Sequence, residues 1–393
     1  MNYEKKSKPT LLYLFKTFVI IGISSFGGFS ALVAVVINKM VERDKQISED
    51  VIMNGFSLAS VLPGPVAVNT VAYIGYYLRG WRGGLLAIFS VILPSFILVV
   101  IATHFYLEYG DLPQVRSIIQ GVIPVIIAVI ISVAYNMSRK SVTSGKHFLI
   151  LLAGLIIQFF YSGYLVFILC LLGSALVGLL FFKSEEEINE TETQRHKADW
   201  APLLLGVAFI ISLGVSILTP YNLNLKIFEV FSKISLTLFG GGYVMVPILQ
   251  DIIVEQMNWL TNIQFVDAIA IGQVTPGPIL ISAAFVGYKV NGILGALIAT
   301  LGIFGPSSIL MIVLSGGLRK FSTNTRWLSM LQAIKPMVIS FILYSVWVIG
   351  QNLDGYLFSI FIIAVSLIAL LKFNLNFLYL IFGFGVLGFF FLG

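Results

Sequence analysis

Long apolar segments separated by short polar stretches recur along the whole chain. The stretch KSEEEINETETQRHKADW, residues 183–200, is polar and lacks apolar periodicity, which is typical of a solvated linker. The pattern predicts an all-α polytopic membrane protein. At about 20 residues per crossing helix, its segments lie at residues 11–37, 51–74, 83–107, 116–136, 147–163, 164–182, 201–219, 226–249, 264–287, 290–316, 328–350, 355–371 and 373–392.

The composition agrees with a membrane protein, because 58% of the 393 residues are hydrophobic and only 11% are charged. A soluble domain of this length could not bury so much apolar surface. The net charge of +6 could indicate a nucleic-acid partner, but the basic residues lie in short loops between apolar segments, where they set membrane orientation. We therefore expect no nucleic acid. Cys170 is the single cysteine, so an intramolecular disulfide is excluded.

Residues suited to catalysis or metal binding are sparse. His104, His147 and His196 lie at segment ends or in the linker without ligand spacing, and the sequence has no phosphate-binding loop for ATP. We expect no enzymatic activity, no metal and no cofactor. Energy, if the protein uses it, would come from an ion gradient or a partner.

The second half of the chain repeats the first. FKTFVIIGISSFGG, from Phe15, aligns with FEVFSKISLTLFGG, from Phe228, at an offset of 213 residues, and the same offset aligns two Pro-Gly-Pro motifs. After one deletion, an offset of 212 aligns Pro94 with Pro306. Shared hydrophobicity does not explain such matches, so we infer a duplication. The predicted divisions are an N-terminal repeat (1–182), the linker (183–200), a connecting helix (201–225) and a C-terminal repeat (226–393).

The number of segments predicts two inverted-topology repeats. About six segments in each repeat plus the connecting helix place an odd number of crossings between equivalent points. The loop after the third segment carries Glu108 and Asp111 in the first repeat but Arg319 and Lys320 in the second, and positive residues favour the cytoplasm. We expect the N-terminus and the linker to be cytoplasmic and the C-terminus to lie outside.

Two points bear on this orientation. The loop that holds Asp251 and Glu255 would be cytoplasmic although it is acidic. If the Pro-Gly-Pro segments re-entered instead of crossing, the number of crossings would be even and the charge reversal would lose its explanation. We expect these segments to cross as broken helices.

The Pro-Gly-Pro motifs lie in VLPGPVAVNT (Val61–Thr70) and VTPGPILISA (Val274–Ala283). Pro65 and Pro278 can each begin a second half-helix, because the N–H that proline lacks has no intrahelical partner at a helix start. In hydrocarbon such irregular backbone is tolerated only beside protein or a water-filled cavity, and helix N-termini attract anions. A kink that serves only packing is the competing interpretation; two motifs at equivalent positions favour a substrate site.

The paired helix starts predict an anion site between the repeats. Each helix N-terminus contributes about +0.5 charge, so a divalent oxyanion needs a further cation or many hydroxyl and amide donors. Thr70 and Ser282 are nearby polar residues. The predicted substrate-binding residues are Ser60, Pro63, Gly64, Pro65, Asn69, Lys233, Gln273, Thr275, Pro276, Gly277 and Pro278.

Three further features have two interpretations each. Lys233 either belongs to the site or extends its charge to the interface. Asp267, whose counterpart is Asn54, is either a proton-coupling carboxylate or an interfacial helix start, and we favour the helix start. The glycine clusters allow close helix packing or gating beside the broken helices; they are Gly27 and Gly28 in the first repeat and Gly240, Gly241 and Gly242 in the second.

At these motifs the chain resembles the chromate ion transporter family in its long, two-domain form. The likeness covers both repeats and is carried by SFGGFSALV with LFGGGYVMVPIL, by ASVLPGPVAVNTVAYIGYYLRGWRGG with IGQVTPGPILISAAFVGYKVNGILGA, and by GIFGPSSIL. The resemblance implies an inner-membrane carrier that exports chromate, driven by the proton-motive force, with sulfate as a further substrate to consider. It also implies functional roles for both Pro-Gly-Pro motifs, the paired glycines and Gln273. The family often has glutamine where the first repeat has Ser60, which puts symmetric ligation by both repeats in doubt.

The leading prediction is a secondary transporter in the cell inner membrane that exports chromate or a related divalent oxyanion. Its partners would be this small inorganic anion and membrane lipid, and its assembly is left open between a monomer and a homodimer. One alternative is a transporter of sulfate or another anion, such as an organic acid. The other, from a different class, is a non-transporting membrane scaffold whose helix breaks serve only packing.

Overall fold

All regular elements of the described residues are helices, and they occur in the same order in both halves of the chain. The computed structural model describes residues 9–25, 29–161, 163–182, 222–239, 242–315, 325–351 and 355–391, with a few isolated positions between them. The first repeat forms α1 (Leu11–Ser24), α2 (Phe29–Val36), α3 (Glu49–Val61), α4 (Val66–Tyr109), α5 (Pro113–Ser141), α6 (Gly145–Phe160) and α7 (Tyr164–Phe181). The second forms α8 (Leu223–Thr237), α9 (Met245–Leu249), α10 (Asn262–Val274), α11 (Ser282–Ser315), α12 (Thr325–Gly350), α13 (Tyr356–Lys372) and α14 (Phe377–Phe391).

Fine details of the two halves also correspond. A π-helix, Ile37–Arg43, extends α2, and another, Gln250–Gln256, extends α9; the two are related by the offset of 213 residues. The glycines Gly27, Gly28, Gly240 and Gly241, the linker and most of the connecting helix lie outside the described residues.

The protein is an all-α polytopic membrane protein. Five helices in the described part of the chain are long and apolar enough to cross a membrane. They are α4, α5, α7, the segment Ile279–Ser315 that contains α11, and Leu328–Gly350 within α12.

The helices α4 and α11 each turn sharply and divide into a short arm and a long arm. The backbone leaves helical geometry at Arg79 and Gly80 in α4, and at the equivalent Asn291 and Gly292 in α11. The arms then fold back on each other, since Gly75 lies against Gly83. The long arm of α4 that follows this turn is 81–109, which at about 1.5 Å per residue is long enough to cross a bilayer.

The prediction that the Pro-Gly-Pro segments cross is wrong, because each forms a hairpin with the motif at its tip. Gly55, nine residues before Gly64, lies against the ring of Tyr73, nine residues after it. A helix continuing in one direction would separate these two residues by more than about 20 Å. In the second repeat, Gly272 and Ser282 meet in the same way across Gly277. The physical reason is the positive φ of the motif glycine, +109° at Gly64, which together with extended neighbours reverses the chain.

The first helices of each repeat form a second hairpin. In the first repeat the Tyr13 hydroxyl donates to Asp44 Oδ2 at 2.5 Å, which brings the start of α1 to the end of the α2 extension. Arg79 Nε also donates to the carbonyl of Pro9 at 2.5 Å. Both hairpins of the first repeat therefore open at the same end of the bundle.

The hairpins of the second repeat open at the opposite end. The long arms of α4 and α11 run antiparallel: Gly84 lies against Ile312 near one end, and near the other His104 Nδ1 lies 3.2 Å from the hydroxyl of Tyr288, just before the turn at which the long arm of α11 begins. Since each Pro-Gly-Pro hairpin opens where its own long arm begins, the two Pro-Gly-Pro tips enter the bundle from opposite ends.

Two re-entrant hairpins per repeat keep the number of crossings odd. We expect the long arm of α4, α5, α6 and α7 to cross the membrane in the first repeat, and the connecting helix, most of which lies outside the described residues, to add a fifth crossing. We therefore still predict inverted repeats. The difference from the sequence-based prediction is that both hairpins of each repeat re-enter, whereas that prediction had none re-entering. The loop of Asp251 and Glu255 moves to the outer side in this topology, which removes its conflict with the distribution of positive charge. Asp251 Oδ2 accepts from the Tyr164 N–H at 2.9 Å, in the turn between α6 and α7 on that same side.

Cysteine labelling tests this topology. In a Cys170→Ser background, we expect Glu49→Cys and Arg82→Cys to react with a membrane-impermeant maleimide from one side of the membrane, because both flank one hairpin. Asn262→Cys and Lys289→Cys should react from the other side. The measurement compares intact cells with inverted vesicles, and the Cys170→Ser parent is the control for background labelling. Labelling of positions 49 and 82 from opposite sides would show that the segment crosses.

Candidate functional site

The two Pro-Gly-Pro tips lie in the protein interior, and each is held by the first hairpin of the other repeat. The Gly64 N–H donates to the carbonyl of Leu238 at 2.6 Å, and the Gly277 N–H donates to the carbonyl of Ser25 at 2.8 Å. Ser25 and Leu238 end α1 and α8 at equivalent positions. The helix breaks thus satisfy one another's backbone groups where hydrocarbon could not.

The tip glycines leave no room for a side chain. Gly64 and Gly277 have φ values of +109° and +114°, which side chains rarely adopt. A Cβ at Gly277 would also lie 2.9 Å from Ser95 Oγ, and one at Gly64 would overlap the side chain of Ser307. Ser95 and Ser307 are equivalent residues on the two long arms, so each tip packs against the long arm of the opposite repeat.

A cluster of buried polar side chains surrounds the tips, and we call it the polar layer. Its members are Asn69, Ser95, Ser235, Ser307 and Ser308, each with 0% relative exposure. The Ser308 hydroxyl donates to Asn69 Oδ1 at 3.1 Å, Asn69 Nδ2 donates to the carbonyl of Pro63 at 3.2 Å, and the Ser235 hydroxyl donates to Ser307 Oγ at 3.1 Å. Two groups of hydrogen bonds therefore lie beside the first tip, and the one between Ser308 and Asn69 joins the two repeats.

The second tip has a less complete network. Ser282, which occupies the position of Asn69 in the second repeat, is 1% exposed, and its hydroxyl has no hydrogen-bond partner among the described residues. Thr275 Oγ1 donates to the carbonyl of Gly272 at 2.9 Å, and the buried Gln273 side chain hydrogen-bonds with Tyr243. A buried hydroxyl without a protein partner is costly unless something else accepts from it or donates to it.

Two helical segments begin at the tips. Pro65 is the N-cap of α4, and Pro278 caps the short 3₁₀ turn that leads into α11. The N–H groups of the first residues of a helix have no intrahelical acceptor, and the helix dipole places partial positive charge there. Two such starts from opposite ends of the bundle create a region of positive potential bordered by hydroxyl and amide groups.

The structure brings most of the predicted substrate-binding residues together and separates Lys233 from them. Both Pro-Gly-Pro motifs, Asn69, Gln273 and Thr275 lie at or next to the tips. Ser60, three residues before Pro63, donates to the carbonyl of Phe56 within α3, at 2.8 Å. Lys233 lies on the exposed side of α8, with 48% of its side chain accessible, and forms an ion pair with Glu229. Lys233 therefore lies outside the polar layer.

The structure decides between the two interpretations of Asp267 and shows the packing of Gly242. The helix-start interpretation of Asp267 is wrong, because Thr261 supplies the capping box of α10 and Asp267 follows in the second turn. Asp267 is 4% exposed and accepts a 2.5 Å hydrogen bond from Tyr106. Gly242 packs against Ile279, which directly follows Pro278 of the second Pro-Gly-Pro motif. A Cβ at Gly242 would overlap the Ile279 side chain, so this glycine allows close packing.

Sequence reasoning missed the serines of the polar layer. Ser95 and Ser307 follow Pro94 and Pro306, so the sequence held a signal in the form of a Pro-Ser pair repeated at equivalent positions. Ser235 and Ser308 have no such signal, since their equivalents in the first repeat are Gly22 and Phe96.

The family model for chromate transporters matches the chain twice, at residues 12–179 and 225–389. Each match covers one of the two repeats, as the duplication predicts. No solved structure matches the chain.

Individual proteins are similar over most of the chain. An uncharacterised transporter of Methanocaldococcus jannaschii is 32% identical over 79% of this chain and 77% of its own. A probable chromate transport protein of Synechococcus elongatus is 30% identical over 87% of this chain and 85% of its own. A chromate transport protein of Cupriavidus metallidurans is 27% identical over 93% of this chain and 89% of its own. Together with the paired family matches, these similarities show that the chain belongs to the chromate transporter family.

Proposed function

We propose that this protein is a secondary transporter that exports chromate, or a related tetrahedral divalent oxyanion such as sulfate, across the plasma membrane, and that the anion binds beside the two Pro-Gly-Pro tips. The observation that carries this proposal is the meeting of two hairpin tips, with their helix starts, inside one layer of buried polar side chains. Relatives named as chromate transport proteins support the choice of substrate.

Charge matching supports an oxyanion. Two helix starts supply about +1 charge in total, and the rest of a dianion's charge would be balanced by hydroxyl and amide donors. Ser282 and Ser307 are available at the tips, and each hydrogen bond to a charged group contributes about 1.5–3 kcal/mol. Because the polar layer contains no cationic side chain, binding would be weak enough for release, which a transporter requires.

The membrane potential can drive this export without a bound proton. Moving one charge across 100 mV changes the free energy by about 2.3 kcal/mol, so a dianion gains about 4.6 kcal/mol when it leaves a negative interior. That energy sustains a concentration ratio of about 10³. The electrical part of the proton-motive force is therefore sufficient, and we propose it as the driving force.

A scaffold whose breaks serve only packing is the weaker hypothesis. Packing alone gives no reason to place each Pro-Gly-Pro tip against an equivalent serine of the opposite repeat, Ser307 and Ser95. It also does not require the polar network beside the first tip, since apolar residues would fill that space without hydrogen bonds.

Uptake into inverted vesicles tests the proposed function. We expect labelled chromate and sulfate to accumulate when the vesicle interior is made positive, because that potential attracts a dianion in the export direction. Collapsing the pH gradient alone should leave accumulation within about twofold, whereas collapsing the potential should abolish it. Vesicles without the protein are the control. A protein that accumulates neither anion, or accumulates only organic acids with which chromate does not compete, contradicts the proposal.

The tip geometry gives a second prediction. Gly277→Ala should destabilise the tip by about 1–3 kcal/mol, because alanine tolerates φ +114° poorly, and should slow uptake by about tenfold or more, since about 1.4 kcal/mol corresponds to a factor of ten. The matched control is Gly305→Ala in α11, the helix that follows this tip, where nothing lies within 4 Å of the added Cβ. Equal uptake rates for Gly277→Ala and Gly305→Ala would show that the geometry of the tip is not needed for transport.

The unpartnered hydroxyl gives a third prediction. Ser282→Ala should leave the melting temperature unchanged or slightly raised, because it breaks no hydrogen bond within the described protein. It should raise the half-saturating oxyanion concentration by about tenfold, because a donor to a charged ligand is lost. Ser366→Ala is the matched control: its hydroxyl is also buried without a partner among the described residues but lies on α13. A similar transport change in both variants would count against a ligand at Ser282.

A further inference from the structure

A cavity of about 380 Å³ lies at the end of the bundle from which the hairpin of α10 and α11 enters. Both repeats line it: Arg116 and Gln120 come from α5, Asp267 from α10, and Gln351 and Tyr356 from the region between α12 and α13. This volume is many times the roughly 10–15 Å³ that one water molecule needs. The cavity can therefore hold a hydrated oxyanion.

The cavity lining carries charges of both signs. Among the described residues, it contains one cationic side chain, Arg116, and one carboxylate, Asp267, and these two charges attract each other. Within the described residues, no ion pair within 4.0 Å joins Arg116 to any carboxylate. A guanidinium that faces a cavity and is not bound in a close ion pair is suited to a tetrahedral oxyanion, because its planar set of donors can bind two oxygens at once.

Asp267 connects the cavity to the hairpin. Its buried carboxylate is fixed by the Tyr106 hydroxyl at 2.5 Å, and the Tyr106 ring packs on Phe285 of the short arm of α11, with ring centroids 5.2 Å apart. Pro276 at the hairpin tip follows Asp267 by nine residues, about 13 Å along a helix. An anion that leaves the tips towards this end of the bundle would therefore pass Asp267 and Arg116.

The duplication does not account for these residues. The repeat offset places Leu328 opposite Arg116, Leu318 opposite Tyr106 and Asn54 opposite Asp267. None of these three counterparts carries a charge. The ionisable cavity is thus a feature of one end of the transporter, whereas the tips and the serine pair Ser95 and Ser307 are common to both repeats.

We propose that Arg116 forms a second, outer anion subsite between the hairpin tips and the end of the bundle, and that Asp267 weakens anion binding there so that the anion is released. This inference rests on the proposed transport function. Arg116 attracts the dianion away from the tips, and the fixed carboxylate of Asp267 repels it across the same cavity. The balance of the two charges gives a site that fills and empties readily.

Side-specific kinetics with sulfate and chromate test the subsite in the full-length protein, using right-side-out and inverted vesicles. Arg116→Gln should raise the half-saturating concentration from the cavity side by about tenfold, with less than about twofold change from the other side. Arg116→Lys should restore part of the affinity. Asp267→Asn should lower the same constant severalfold, because it removes the repulsion while keeping the size of the side chain. Effects of opposite sign from two neighbouring residues are not expected from a structural role.

The control is Arg139→Gln, which removes the same charge from the other end of α5 and should leave the cavity-side constant unchanged. Equal values for Arg116→Gln and Arg139→Gln, or weaker binding in Asp267→Asn, would overturn the subsite while leaving transport at the tips intact. Absence of saturable oxyanion transport by the wild-type protein would instead overturn the proposed function, and the subsite with it.

A labelling measurement covers the case in which Arg116→Gln does not fold. In a Cys170→Ser background, Gln351→Cys places a thiol at the cavity while keeping Arg116. We expect sulfate to protect this thiol from a negatively charged thiosulfonate reagent, and chloride at equal ionic strength to protect it much less. Equal protection by both salts would show that the cavity does not select oxyanions.

Discussion

The fold depends on how backbone groups at helix breaks are satisfied inside a membrane. An unpaired N–H or C=O in hydrocarbon costs several kcal/mol, and in the described part of this chain both Pro-Gly-Pro motifs interrupt a helical segment. The amide of Gly64 reaches the end of α8, and the amide of Gly277 reaches the end of α1. Each repeat therefore satisfies the break of the other, and a single repeat would leave these groups without partners.

This reciprocal pairing also fixes where a substrate could bind. Because the glycine amides donate to protein carbonyls, they are not available to a ligand, and the helix starts that follow Pro65 and Pro278 supply the remaining donors. The pairing also couples the two repeats mechanically. The carbonyls of Ser25 and Leu238 each hold the tip of the opposite repeat. A movement of α1 or α8 therefore displaces that tip, so the two repeats cannot change conformation independently.

The sequence predicted the parts of the fold that depend on local chemistry. Apolar length placed the membrane segments, and the spacing of prolines and glycines showed the duplication. Re-entry could not be predicted, because a stretch such as 51–74 is long enough either to cross once or to fold back. The outcome depends on a tertiary contact between Gly55 and Tyr73. Ser95 was missed for a similar reason: a serine in an apolar helix usually bonds its own helix, as this one does with the carbonyl of Ile92 at 2.9 Å, and only the folded chain shows the opposite tip beside it. Lys233 was the avoidable error, since Glu229 four residues earlier already predicted an ion pair on one helix face.

The contrast between a symmetric centre and asymmetric ends constrains how such a transporter could work. Equivalent tips at the pseudo-twofold axis allow two conformations of similar energy, one open to each side. Differences such as Ser60 against Gln273, or Leu328 against Arg116, change the affinity of one side relative to the other. They cannot set the direction of net flux. Weaker binding on one side speeds release there but reduces capture there by the same factor, so the equilibrium of the transported anion is unchanged. Direction must come from the free energy of the transported ion, and for a dianion in a cell with a negative interior that free energy points outwards. Asymmetry at the mouth of the protein therefore governs how fast the anion leaves, while its charge determines that it leaves.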